Sequence, residues 1–341
     1  MSNSRPTLKD VAERSGYALR TVKNVMSGKP TVGEPVREAV LKAVAELGYK
    51  RNMVASALAK NRSLTIAALF TEDGSGGGSS LRRGIARCED DLRDFGLSVE
   101  YFPTQDGNWQ TQSAVLSELF NREEVDGVLL QPLSLDKLDS QIDALVYVGK
   151  PVVLLGSDAP ASRRTCYIGP DAYKAGRIAS QILANYIGKR GVVCALGREA
   201  GNAQTIQRMQ GFRDRITEHY PGITVRTLDA PEDSIKDEEL IAKALAADGV
   251  AALFCNGVPP SLAGEVLRKL GRQDIVLVGF GPSERTAQLM REGYIQVLID
   301  EHPEEYAYTA LRTLFRYLTE DEVPERLIHT PVSVLTSECL P

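Results

Sequence analysis

From residue 64 onward, the sequence alternates between short apolar runs and longer amphipathic stretches. The apolar runs include "SLTIAALF", "DGVLLQP", "PVVLLG", "GVVCAL", "VAALFCN" and "DIVLVGF". A strand that is apolar along its whole length is typical of a parallel sheet with helices on both faces. The series is long enough to form two such sheets. It therefore predicts two doubly wound parallel α/β lobes, with a ligand cleft beyond the carboxyl ends of the strands.

The first residues follow a different pattern, which predicts three short helices. Thr7 and Asp10 form a T-x-x-D capping pattern that opens "LKDVAERS". Gly16 then separates this stretch from "ALRTVKNVMSG", and "EPVREAVLKAVAELG" follows. Two short helices around a glycine turn, braced by a third, predict a small all-α helix-turn-helix unit. Its second helix exposes four side chains opposite the apolar stripe: Leu19, Arg20, Lys23 and Asn24.

The charge is divided between these two parts of the chain. Residues 1–63 carry 12 Lys/Arg and 5 Asp/Glu, whereas the whole chain has a net charge of −5. A basic head on an acidic body indicates that the head binds a polyanion such as double-stranded DNA. The exposed side chains of the second helix would then reach base edges in the major groove. The alternative is a helical docking module whose charges are solvated.

Cysteine usage and hydropathy indicate the compartment. The five cysteines are scattered and include no C-x-x-C spacing, which favours free thiols in a reducing, cytoplasmic environment. No apolar run approaches the ~20 residues that span a bilayer. The N-terminal residues also lack the apolar core of a secretory signal. We therefore expect a cytoplasmic protein with no membrane contact.

A glycine cluster, "DGSGGGSS" at residues 73–80, follows the first apolar run. It half fits the G-x-G-x-x-G dinucleotide fingerprint, but its glycines are contiguous and Ser79 occupies the last position. The chain has three histidines, and none forms a recognisable nucleophile–base pair. We therefore expect a pocket rim, with no catalytic residue, cofactor or metal. The alternative is a cytosolic α/β enzyme, dependent on a sugar or a nucleotide, with an accessory helical head.

The segment "TLKDVAERSGYALRTVKNVMSGKPTVGEPVREAVLKAVAELGYKRNMVASALAKNRS" resembles the DNA-binding headpiece and hinge of the LacI/GalR family of bacterial transcription regulators. The resemblance implies a headpiece over residues 1–50, a hinge helix over 51–63 and a core over 64–341. It also implies that Leu58 enters the minor groove. The DNA contacts expected from the resemblance and the helix pattern are Thr7, Leu19, Arg20, Thr21, Lys23, Asn24, Lys29, Tyr49, Asn52, Ala55 and Leu58.

The body resembles the effector-binding core of the same family, which shares the type I fold of periplasmic sugar-binding proteins. In "IQRMQGF", Arg208 stands where the family holds ligand hydroxyls or a carboxylate, although a solvated helix charge is the alternative. Gly281 stands where many members carry Asp, and Glu301 stands where ribose-type relatives carry Gln. The ligand contacts expected on this basis are Ser79, Ser80, Arg208, Asn256, Gly281 and Glu301.

The resemblance also implies a mode of action. The glycine rim lacks the aromatic residues that stack on a hexose in related pockets. This favours a polyol, a pentose or an anionic sugar derivative as the ligand. We expect a homodimeric repressor that binds a pseudo-palindromic operator, with one headpiece on each half-site and with an affinity that a sugar or sugar-like compound controls.

Overall fold

The computed structural model describes residues 8–26, 33–47, 63–71, 77–104, 108–197, 203–229, 234–246, 249–320 and 322–340. Within these ranges the chain forms a cluster of three helices, followed by two sheets of six strands each. None of the helices in the described part of the chain combines the length and the apolar character needed to cross a bilayer.

The three N-terminal helices form a small core of their own. They are α1 (Leu8–Ser15), α2 (Leu19–Met26) and α3 (Glu34–Leu47). Gly16 has a φ of +74° and its N–H donates to the carbonyl of Ala12, so it ends α1 in the tight turn that the sequence predicts. The side chains buried between the helices are Val11, Val22, Val25, Val40 and Ala43. These residues lie at the helical spacing expected for the inner faces of the three helices.

The first sheet has the strand order β11-β5-β4-β3-β1-β2, and all its pairs are parallel. Its strands are β1 (Leu64–Phe70), β2 (Leu97–Pro103), β3 (Gly127–Leu130), β4 (Val152–Leu155), β5 (Cys166–Pro170) and β11 (Leu327–Thr330). We call this sheet and its helices the first lobe.

The second sheet has the order β12-β10-β9-β8-β6-β7 and forms the second lobe. Its strands are β6 (Gly191–Gly197), β7 (Ile223–Asp229), β8 (Val250–Cys255), β9 (Val276–Phe280), β10 (Val297–Asp300) and β12 (Ser333–Leu335). The pairs are parallel except for β12, which runs antiparallel to β10. The two parallel-dominated sheets confirm the predicted α/β class.

Helices cover both faces of each sheet. They are α4 (Gly77–Leu92), α5 (Trp109–Asn121), α6 (Asp139–Tyr147), α7 (Ala172–Tyr186), α8 (Ala203–His219), α9 (Ser234–Leu245), α10 (Pro260–Leu270), α11 (Glu284–Arg291) and α12 (Pro303–Glu320). In β1, Ile66 and Phe70 pack into one apolar cluster, and Leu69 packs into another. A central strand therefore needs apolar residues on both faces, which explains its continuous apolar run.

The chain passes between the two sheets three times within the described ranges. It crosses after β5, after β10 and between β11 and β12. In the structure, α12 returns to the first lobe, where its residues 306–315 join the same apolar cluster as Ile66 and Phe70.

Two histidines link these crossings. His302 follows β10, and its Nε2 lies 2.8 Å from the Oγ of Ser333 at the third crossing. His329 lies in β11, and its Nδ1 is 4.0 Å from a carboxylate oxygen of Asp171 at the first crossing. The three crossings are therefore neighbours, and together they form the hinge between the lobes.

A close helix crossing in the second lobe positions α8. A Cβ on Gly176 of α7 would lie 1.9 Å from the carbonyl oxygen of Arg208, and one on Gly211 would lie 2.0 Å from that of Tyr173. The backbones of α7 and α8 therefore touch, which only glycine at these two points allows. This contact fixes the depth at which Arg208 enters the space beside the hinge.

Candidate ligand-binding cleft and nucleic-acid interface

Buried polar side chains collect at the carboxyl ends of the strands, beside the hinge. Ligands of open α/β sheets bind at this edge. In the first lobe, Thr104 follows β2 and Ser157 follows β4, and each is 1% exposed. In the second lobe, Asn256 follows β8 and is 1% exposed, while Arg208 and Glu301 are 7% exposed. Both lobes thus present polar groups at the expected position of a cleft.

Arg208 and Glu301 form a buried ion pair. The Nε of Arg208 donates to Glu301 Oε1 at 2.9 Å, and its Nη2 donates to Oε2. Gln204, one turn earlier on α8, donates its Nε2 to the same Oε2 at 2.8 Å. The guanidinium carbon also lies 4.0 Å from the centroid of the Phe280 ring. Burial of both charges is tolerated because each has a close partner.

The two sequence interpretations of Arg208 can now be separated. A solvated helix charge is wrong, because the side chain is buried against Phe280 and Glu301. The sequence suggested Arg208 and Glu301 as two independent ligand contacts. In the structure each one neutralises the other. A ligand at this point meets a compensated pair and not a free guanidinium.

Two tyrosines of the first lobe lie close to this pair. Burial raises the pKa of the Tyr306 hydroxyl, the charge of Glu301 raises it further, and Arg208 lowers it. The pKa of Tyr167 is also raised mainly by burial, with smaller contributions from Tyr306 and Glu301. Tyr167 donates its hydroxyl to the carbonyls of Pro170 and Gly156, at 2.8 and 3.3 Å. The ion pair of the second lobe therefore faces the hinge side of the first lobe.

Buried polar atoms at this edge that have no hydrogen-bond partner in the described part of the chain include Thr104 Oγ1, Ser157 Oγ and Asn256 Oδ1. The amide of Asn256 is oriented by its Nδ2, which donates to the carbonyl of Thr205 at 2.8 Å. Its Oδ1 is then available to accept. A buried polar group without a partner costs about 1–3 kcal/mol. Hydroxyl groups of a bound ligand would supply the missing bonds.

Sequence reasoning missed Thr104, Ser157, Gln204 and Phe280. Thr104 and Ser157 are single hydroxyl residues with no motif around them, but each comes within two residues of a strand's carboxyl end. That position is a usable signal in parallel sheets. Gln204 lies one helical turn before Arg208, and this spacing also puts both residues on one face of α8.

The remaining predicted ligand contacts lie at the same edge or next to it. Gly281 follows β9 with a φ of +83°, and a Cβ there would meet no atom of the described residues within 4 Å. Ser79 and Ser80 lie in the first turn of α4, where Ser80 Oγ accepts from Arg83 Nη2 at 2.9 Å. Residues 72–76, which include Gly76 of the predicted glycine rim, lie outside the described residues.

The described part of the headpiece presents the predicted face of α2. Val22 and Val25 are buried, whereas Arg20 is exposed and Leu19, Thr21 and Asn24 are partly exposed. Lys23 lies in the same helix. The other predicted DNA contacts lie outside the described residues: Thr7, Lys29, Tyr49, Asn52, Ala55 and Leu58. The predicted hinge helix over 51–63 lies almost wholly outside them as well.

A helix-turn-helix head and a two-lobed core with a polar cleft define a ligand-responsive DNA-binding protein. Comparison with known proteins identifies the family. Residues 7–52 match the bacterial regulatory proteins of the lacI family, and residues 73–322 match the periplasmic binding protein domain. The chain belongs to the LacI family of transcription regulators.

Individual relatives support this assignment. The transcriptional regulator CelR of Thermobifida fusca is 30% identical over 295 residues, which cover 82% of this chain and 83% of CelR. Catabolite control protein A of Priestia megaterium is 23% identical over 335 residues, covering 95% and 96% of the two chains. The comparisons lend no support to the enzyme alternative. Among the described residues, no group of three His, Cys, Asp or Glu side chains is arranged to hold a metal ion.

Solved structures share the fold of the core. GanP, a glucose-galactose binding protein from Geobacillus stearothermophilus, aligns with a TM-score of 0.74 at 22% identity, covering 82% of this chain and 99% of GanP. A solute binding protein from Burkholderia graminis, in complex with D-arabinose, aligns with a TM-score of 0.75 at 21% identity, covering 81% and 96%. These likenesses confirm a periplasmic-binding-protein-like core.

Proposed function

We propose that this chain is a cytoplasmic repressor that binds a pseudo-palindromic operator as a homodimer, and that a small sugar-like ligand controls its operator affinity. The proposal rests on one observation above all. Buried polar atoms that have no hydrogen-bond partner among the described residues lie at the carboxyl edges of both sheets, beside a three-segment hinge. Such atoms favour a polar ligand that contacts both lobes at once.

The division of labour follows the boundaries expected from the sequence. Residues 1–50 bind DNA, and residues 51–63 connect them to the core. Residues 64–341 bind the ligand and the second chain of the homodimer. Within the head, the exposed side of α2 reads the major groove, and the basic side chain of Arg20 lies exposed on this helix. The basic character of the head supplies the phosphate contacts.

The cleft controls the head through the relative pose of the lobes. A ligand that accepts from or donates to Ser157 in one lobe and Asn256 in the other stabilises one pose. Rotation at the hinge moves β1, the strand that directly follows the connecting residues, relative to the second lobe. Repression changes only if the ligand has different affinities for the DNA-bound and free poses.

The D-arabinose complex of the Burkholderia graminis protein supports a small neutral sugar as the first candidate ligand. The residues that we propose as ligand contacts are Thr104, Ser157, Gln204, Arg208, Asn256 and Glu301, with Ser79, Ser80 and Gly281 on the rim. Hydrogen bonds are the main interaction that these side chains can make with a ligand.

Selection from random DNA duplexes by the full-length chain tests the proposal. We expect the selected duplexes to share two inverted half-sites and to bind two chains each. Addition of D-arabinose, or of another sugar from a panel, should then change the fraction of DNA bound. Selection of no shared sequence, or of a single half-site bound by one chain, would contradict the proposal.

A further inference from the structure

We propose that Glu301 determines the charge of the ligand: it acts as an internal counter-anion that blocks anionic ligands from Arg208 and restricts the cleft to neutral polyhydroxyl compounds. This inference rests on the proposed function of the cleft, and it narrows the chemical class of the ligand.

The geometry of the pair is the first argument. Both oxygens of Glu301 face the Nε–Nη2 edge of Arg208. This is the two-bond arrangement that a ligand carboxylate or phosphate uses on a guanidinium. Phe280 covers one flat side of the same guanidinium at 4.0 Å. Glu301 therefore already holds the place that an anionic ligand group needs.

Gln204 strengthens this arrangement. Its Nε2 donates to Glu301 Oε2 at 2.8 Å, so the carboxylate is held from two directions. Glu301 and Gln204 are both buried, and displacement of the carboxylate would leave it without these bonds. A ligand gains little by competing for Arg208, because the displaced Glu301 would lose as many bonds as the ligand forms.

The wider charge balance is the second argument. Three basic side chains near this edge each face a carboxylate: Arg208 faces Glu301, His302 faces Asp300 and His329 faces Asp171. This set holds three carboxylates and one guanidinium. An anion beside Arg208 is repelled by Glu301 about as strongly as it is attracted by the guanidinium, because the two groups are in contact. Neutral hydroxyl groups meet no such repulsion.

The unpartnered atoms fit the same class of ligand. Asn256 Oδ1 can only accept, so it needs a hydrogen-bond donor. The hydroxyls of Thr104 and Ser157 can donate or accept. A polyhydroxyl compound satisfies all three, whereas an ionised carboxylate group offers no proton to Asn256.

The test uses the full-length chain and two probes that do not depend on the natural ligand. Inorganic phosphate reports anion binding, and the pair D-arabinose and D-arabinose 5-phosphate compares a neutral pentose with its charged derivative. Calorimetric titration compares the wild type with Glu301→Gln, Glu301→Ala and the double variant Glu301→Gln/Arg208→Gln. Circular dichroism confirms the fold of each.

We expect the wild type to bind phosphate weakly, and Glu301→Gln to bind it about tenfold to a hundredfold more tightly, since a charge-assisted bond to Arg208 becomes available. The double variant should lose this gain. The preference for D-arabinose over its phosphate should shrink in Glu301→Gln.

Three results would overturn the inference. They are equal phosphate affinity in the wild type and Glu301→Gln, a gain that persists in the double variant, and unfolding of both Glu301 variants, which would make the pair a purely structural contact. Failure of the proposed function is a separate outcome. In that case no neutral sugar alters operator binding by the wild type, and this result does not depend on the phosphate affinity of Glu301→Gln.

Discussion

At the scale of single residues, the account can be tested on buried polar side chains, some of which have a hydrogen-bond or ion-pair partner in the described part of the chain and some of which have none. Arg208 and Glu301 depend on each other, because removal of one leaves the other as a buried charge. We expect Arg208→Met to lower the free energy of unfolding by about 3–5 kcal/mol. The double variant Arg208→Met/Glu301→Gln should recover most of that loss.

Chemical denaturation of the wild type, Arg208→Met, Glu301→Gln and the double variant gives the four free energies of unfolding of a double-mutant cycle. Simple additivity of the two single losses would show that the pair contributes no coupling. The prediction would then be wrong, even if both variants are destabilised.

Ser157 and Ser162 form a matched pair in the segment between β4 and β5. Both are buried, but Ser162 Oγ donates to the Ala159 carbonyl at 2.7 Å, whereas Ser157 Oγ has no partner in the described part of the chain. We expect Ser162→Ala to destabilise the ligand-free protein by about 1 kcal/mol, and Ser157→Ala to leave its stability unchanged or higher. Ser157→Ala should instead weaken ligand binding.

Thermal unfolding and calorimetric titration with D-arabinose measure the two effects separately. Equal destabilisation by Ser157→Ala and Ser162→Ala would indicate that Ser157 is an ordinary core residue. The assignment of Ser157 to the cleft would then fail.

At the scale of secondary-structure elements, the contact between α7 and α8 places the ion pair. Gly176→Ala would put a methyl group 1.9 Å from the Arg208 carbonyl oxygen, so α8 must move outward. We expect a loss of about 1–3 kcal/mol in stability and weaker ligand binding, because Arg208 moves with its helix. Lys174→Ala, at an exposed site on the same helix, is the control and should change neither quantity.

Denaturation curves measure the stability of the two variants, and titration with ligand then measures their affinity. Together they distinguish a displaced Arg208 from a general loss of stability. A folded Gly176→Ala protein with wild-type ligand affinity would contradict the role given to this helix contact.

The second element-scale prediction concerns α2. Arg20 lies on its exposed side, and Arg14 lies on α1, where it pairs with Glu46 of α3. Each alanine substitution removes one positive charge from the head, so each reduces nonspecific DNA attraction similarly. We expect Arg20→Ala to cost a further ~1–3 kcal/mol on the operator, since it also removes a base contact. Similar losses for the two variants on operator DNA, measured by fluorescence anisotropy, would argue against base recognition by Arg20.

The local spacing of apolar residues predicted most helices and strands. A buried strand needs a continuous run of apolar residues, and a partly exposed helix needs an apolar stripe along one face. This spacing could not assign α12 to the first lobe or separate β11 from β12, since sheet membership depends on partners far along the chain. Likewise, Arg208 and Glu301 were expected at the site, but their pairing requires α8 and β10 to meet in space.

At the scale of the whole molecule, function depends on how the lobes move about the hinge. The three crossings are neighbours through His302, Ser333, His329 and Asp171, so a change in one crossing affects the others. The cleft opens between the same crossings. We therefore propose that ligand binding and hinge rotation are two aspects of one equilibrium, which only a ligand that prefers one pose can shift.

The central claim is that the cleft ligand and the operator act on the same equilibrium, and thermodynamic coupling tests it most directly. Operator affinity is measured with and without saturating ligand, and ligand affinity with and without saturating operator. We predict that both ratios are equal and lie between about fivefold and 150-fold. A ligand that binds the cleft tightly and leaves operator affinity unchanged would contradict the account.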